Sequence, residues 1–154
     1  MDEDAGLAAA YWREHRLATG NREERLRAEA DDAASSAVAD RISGDPVAAL
    51  LLLDALLAAD DADLGYAGAG PVEDLLVEHG PKVGEAVADR CRQSNHWRQA
   101  VAGVWLDDRE RAEIPTLHPF LPHEYDPLIK NRQRPMRYCP PSGSDFPRCG
   151  PIGP

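Results

Sequence analysis

The run PVAALLLLDALLAA, residues 46–59, constrains this chain more than any other stretch. It is apolar on nearly every side. A helix without a polar face has to be enclosed by other elements. Its start is punctuated by Ser43-Gly44-Asp45-Pro46. Glycine stands just past the end of one helix, aspartate at the cap of the next, and proline at its first position, where the missing N–H costs nothing. The apolar run Val47–Ala59 is 13 residues long and is broken by Asp54. A membrane span needs about 20 residues, so the segment is expected to be the central helix of a water-exposed domain, with no membrane association.

The stretch from Gly68 to Trp105 supplies the next set of helices. Pro71 opens a helix, and Glu73 and Asp74 place negative charge in its first turn, against the positive end of the helix dipole. Val72, Leu75, Leu76 and His79 share one face by their spacing. Gly80 and Pro81 predict a stop there. A second helix is predicted from Pro81 to about Arg92, with Val83, Val87 and Cys91 in register. A third follows a cap at Ser94 or Asn95, with Trp97, Ala100, Val101, Val104 and Trp105 as its apolar stripe. Gly103 inside that stripe marks a close approach of another backbone.

These segments carry a resemblance. GAGPVEDLLVEHG followed by WRQAVAGVW resembles a bacterial α-helical domain family of unknown function, and the similarity continues upstream through GDPVAALLLLDALLAA to YWREHR, over roughly Leu7 to Leu106. The resemblance implies an all-helical domain and brings no reaction with it.

Upstream, a helix is predicted from about Ala5 to Ala18, with Leu7, Ala10, Tyr11 and Leu17 inward and Trp12 at the edge. Another is predicted from about Arg22 to Ile42, along Leu26, Ala30, Ala33, Ala37, Val38 and Ile42, with Ser35-Ser36 as a bend. A short helix from about Ala62 to Ala69 brings Leu64 and Tyr66 to the core. The fold class is therefore all-α: about seven helices in a compact bundle or a short stack of αα-hairpins. Asp107 to Glu113 is charged and extends the last helix. From Pro115 to Pro154 there are 10 prolines in 40 residues, which excludes regular helix or central strand. The expected division is an acidic helical domain, 1–106, and a basic, Pro-rich tail, 107–154, disordered or laid out in extended form.

Charge follows the same division. Residues 1–126 hold 12 Lys/Arg against 26 Asp/Glu, and residues 127–154 hold 5 against 1. A surface of this sign repels phosphate backbones, so nucleic acid is not expected to bind the helical part. The acidic N-terminus lacks the basic-then-apolar form of a secretory signal, and the three cysteines form no secreted disulfide framework. A cytoplasmic location is expected.

Four groups of residues invite chemistry. Glu73, Asp74 and His79 offer an acid–base or carboxylate–histidine arrangement, although helix-end electrostatics explains the same pattern. His118, His123, Cys139 and Cys149 are zinc-type ligands without the short pair spacing that structural zinc sites use, so no metal or other cofactor is expected. Lys130, Arg132, Arg134 and Arg137 form a basic tract suited to an acidic partner, a membrane surface or nucleic acid. Trp12 is a candidate interface anchor. The reading is a non-enzymatic protein–protein interaction module, adaptor or antidote-like, with a protein partner. The alternative is a small hydrolase or metal-dependent enzyme using Glu73, Asp74 and His79.

Overall fold

The computed structural model describes residues 3–30 and 32–122, with no strand among them. In chain order the helices are α1 (Glu3–Thr19), α2 (Arg22–Ala30), α3 (Ala33–Gly44), α4 (Pro46–Ala58), α5 (Leu64–Ala67), α6 (Glu73–Gln93), α7 (Asn95–Val101) and α8 (Asp108–Glu113). A kinked π-type turn, Gly68–Val72, joins α5 to α6, and a 3₁₀ turn, Pro115–Leu117, follows α8. The described residues belong to one packed unit. No helix among them is long and apolar enough to cross a membrane.

α4 is enclosed over most of its circumference but not on every side as its composition suggested, because Val47 and Leu51 stay exposed on one face. Asp45 caps it, its carboxylate accepting from the N–H groups of Val47 (2.9 Å) and Ala48 (3.4 Å), with Pro46 in the first turn. Leu50, Leu52, Leu53, Leu56 and Leu57 are buried, and α1, α3, α6 and α7 pack around the helix. Each buried leucine contributes about 1.5–3 kcal/mol.

Several ends of these helices are closed by side chains from elsewhere in the chain. The last four carbonyls of a helix have no partner within it. The Trp12 indole N–H donates to the Leu56 carbonyl near the end of α4 (2.9 Å). His79 Nε2 donates to the Ile42 carbonyl near the end of α3 (2.9 Å). At a helix start, Glu14 of α1 accepts from the Ser35 N–H of α3 (2.9 Å).

The structure corrects the sequence reading at several points. The segment 22–42 is two helices rather than one, so its stripe does not run through, and Leu26 is exposed while Val38 and Ile42 are buried. Gly80-Pro81 does not end a helix, because α6 continues across both residues. Leu75, Leu76, Val83, Val87 and Cys91 form one buried face along it, and Ile114 packs where a Gly80 or Gly84 side chain would lie. Burial of that face outweighs one lost backbone hydrogen bond.

α7 ends at Val101 rather than near Leu106, and Asp107 caps a separate helix. Its carboxylate accepts from the Glu110 N–H and Glu110 returns the bond, 2.8 Å each way. Trp105, expected in the core, is half exposed, whereas Trp12, expected at the edge, is fully buried. Gly103 does meet another backbone, that of Gly65. Ile114, Leu117 and Leu121, placed beyond residue 106 in the sequence reading, are buried in the same core as α4.

Candidate binding cleft

Among the described residues, the sequence-predicted candidates Glu73 and His79 are engaged at separate points. Glu73 sits at the start of α6 and its carboxylate accepts from the Trp105 N–H (2.7 Å). Its pKa is raised, first by partial burial and then by the Asp74 and Glu110 charges, against the lowering effect of the Trp105 bond. Asp74 is exposed on the next position. Its pKa is also raised, by desolvation first and the Glu78 charge second. His79 lies further along α6, largely covered and spent on the Ile42 carbonyl, with Glu78 beside it at 4.0 Å and Ser43 donating to Glu78 (3.1 Å). So Glu73 and His79 each hold a backbone group of a different segment.

His118 Nε2 donates to the Arg111 carbonyl (2.8 Å). No group of three or more His, Cys, Asp or Glu among the described residues is placed to hold a metal ion. His123, Lys130, Arg132, Arg134, Arg137, Cys139 and Cys149 lie outside the described residues. Trp12 packs inside the domain, edge-on to Tyr11 and His15, and presents no surface to a partner.

The arrangement the sequence reading missed centres on Asp54, the one charged residue of α4. Its carboxylate accepts from Arg90 of α6 through Nε (2.9 and 3.1 Å) and Nη2 (2.9 Å), and from the Trp97 indole N–H of α7 (2.8 Å). The Arg90 guanidinium also donates to the Ala86 carbonyl (3.3 Å) and lies 5.8 Å from the centre of the Trp97 ring, within cation–π range. Trp97 is buried, while Asp54 keeps 41% of its side-chain surface. A planar fork meeting a carboxylate with two parallel bonds fixes orientation as well as charge. One aspartate therefore sets the relative placement of three helices.

These three residues form one wall of an open cleft of about 550 Å³ between α4, α6 and α7. Leu57, Ala58 and Ala86 add apolar lining, and Asp89, Gln93 and His96 add polar lining. Asp89 is itself paired with Arg92. The outer face of α4 leads into this cleft. At about 100° per residue, Val47, Leu51, Asp54 and Ala58 fall along one line. Val47 is 66% and Leu51 55% exposed. The line thus runs from two bare apolar side chains to the cleft's carboxylate.

The signal for Asp54 was present as an interruption of an apolar run, but its partners stand 36 and 43 residues away. Nothing local in the sequence connects them.

No curated protein and no solved structure matches the chain. The model of a family of unknown function, DUF6869, matches residues 21–116, which contain Asp54, Arg90, Trp97 and the whole outer face of α4, and the chain belongs to that family.

Proposed function

We propose that the helical domain is a protein-binding module, of the adaptor or antidote kind, which takes a basic and partly apolar segment of its partner along the outer face of α4 and into the cleft beside it. The observation that carries this reading is the line Val47–Leu51–Asp54–Ala58. A helix otherwise buried leaves two large apolar side chains in water, in continuity with a concave site of mixed polarity. Contiguous exposed apolar surface next to a polar rim is the form of a groove that receives a helix or an extended peptide. The excess of carboxylates over residues 1–126 selects a basic partner and speeds its approach.

The test uses the full chain immobilised against a lysate of its source cells, beside a Leu51→Glu variant. Leu51 is exposed, so the variant keeps the fold. A basic protein retained by the wild-type chain, released as salt is raised and lost with Leu51→Glu supports the reading. Equal retention by both chains, or a partner insensitive to salt, overturns it.

A further inference from the structure

The hydrogen bonds of Asp54 do not fill it. An ionised carboxylate offers about four acceptor positions. Three hydrogens reach this one: the Arg90 Nε–H, shared between the two oxygens at 2.9 and 3.1 Å, an Arg90 Nη2–H at 2.9 Å, and the Trp97 indole N–H at 2.8 Å. The indole and the shorter Nε bond both end on Oδ1, so the position left over is on Oδ2. Asp54 lines the cleft between α4, α6 and α7 and its side chain is partly exposed. A donor that enters the cleft completes the set. The other carboxylate of the lining, Asp89, is paired with Arg92.

The chemistry of that donor follows from what is already in place. A guanidinium meets a carboxylate best through two parallel bonds, and Arg90 makes that pair. A single remaining position suits a point donor instead. An ammonium is such a donor, and its four-carbon stem lies along apolar surface. Ala58 and Ala86 of the lining supply that surface. The excess of carboxylates over residues 1–126 favours a cation over a neutral donor.

The exposed line of α4 says what this ammonium is attached to. Val47 and Leu51 stand one turn apart, about 6 Å along the axis. A helix laid along the line meets them with apolar side chains four residues apart, and its next turn comes over Asp54. We infer that the cleft is a lysine pocket: it takes a lysine one helical turn beyond two apolar residues of the partner, with the ammonium on Asp54 and the stem along Ala58 and Ala86. The inference rests on the reading of the α4 face as a binding groove and adds the residue which that groove selects.

The test is an NMR titration of the full chain, at fixed physiological salt, with three helical peptides of alanine and glutamine. Each carries two leucines four residues apart and, four residues later, lysine, arginine or norleucine. The expected result is saturable shifts at Val47, Leu51, Asp54, Ala58 and the Trp97 indole, with the lysine peptide about five-fold tighter than the arginine peptide and about ten-fold tighter than the norleucine peptide. Asp54→Asn keeps an acceptor for the indole N–H, so the norleucine peptide should bind as before while the lysine peptide falls to its level. Where Asp54→Asn disturbs the packing, Ala58→Lys decides. Ala58 is exposed at the end of α4, where a cation is favourable. An ammonium placed there, one turn from Asp54, takes the open position and removes the lysine preference. Equal affinity of the three peptides, a tighter arginine peptide, or a lysine preference retained in either variant overturns the lysine pocket and leaves the groove reading standing. No saturable shift along α4 with any peptide overturns both.

Discussion

The backbone of Gly68 rests directly against the carbonyl oxygen of Ala100, with no room between them for a side-chain carbon. Gly103 completes the crossing from the other strand of chain, its Cα lying 3.3 Å from where a Gly68 Cβ would stand. Gly68→Ala is therefore expected to destabilise the domain by about 2–3 kcal/mol, since backbone rather than a flexible side chain must yield. Gly6, exposed on α1 with nothing within 4 Å of its Cβ direction, is the control. Gly6→Ala is expected to stabilise by about 0.5–1 kcal/mol through helix propensity. Urea unfolding of both variants measures the difference, and equal effects would contradict the packing described.

Asp54→Ala removes the acceptor shared by Arg90 and Trp97. Because Asp54 and Arg90 retain 41% and 26% of their side-chain surface, water screens the pair, and the expected loss is about 1–2 kcal/mol. Asp54→Asn keeps an acceptor for the indole N–H and is expected to lose about half as much. Arg90→Lys cannot reproduce the fork and should resemble the alanine variant. Tryptophan emission and urea midpoints, read together, distinguish the three.

The raised pKa of Glu73 makes a prediction about pH. Its folded-state pKa lies above the unfolded value, so the folded protein holds the proton longer. The stability linked to this group is fully present below the ordinary glutamate value of 4.5 and falls as pH rises through the raised pKa. Glu73→Gln removes that titration and keeps an oxygen to accept from Trp105. Relative to the wild-type chain, the variant should gain stability as pH rises from the ordinary value of 4.5 through the raised pKa. Parallel urea midpoints across this range would contradict the burial of the carboxylate.

Cys91 is fully buried, and burial pushes its thiol up to about 11. At pH 8 roughly one molecule in a thousand carries the thiolate, which is the reactive form. In a Cys139→Ser/Cys149→Ser background, Cys91 is expected to resist a disulfide reagent in buffer and to react fully in denaturant. Reaction in buffer at the rate of a small free thiol would show that α6 does not cover it.

Punctuation of the central helix was legible in the sequence because the Asp45 carboxylate acts on N–H groups two and three residues away and Pro46 acts on its own backbone. The all-helical class was legible for the same reason, since periodicity is a local property. Gly80-Pro81 misled because the decisive contact, Ile114 on Gly80 and Gly84, comes from 34 and 30 residues downstream. Trp12 and Trp105 exchanged their expected surroundings. Spacing within α1 does not reveal that the Leu56 carbonyl waits for an indole N–H, nor does an apolar stripe show that α7 stops at Val101. The cleft was illegible for the most general reason: Asp54, Arg90 and Trp97 meet only after three helices have packed.

The core also has a bearing on how the domain can be divided. Residues 21–116 mark the shared family pattern, yet Ala8, Tyr11 and Trp12 before them and Leu117 and Leu121 after them are buried among its helices. The matched segment is thus smaller than what must be present for the interior to close. A piece cut at the family limits would open a hole the size of a tryptophan beside α4 and bare the surface that Leu117 covers. Such a fragment is expected to aggregate, and its failure would speak of the cut and not of the family.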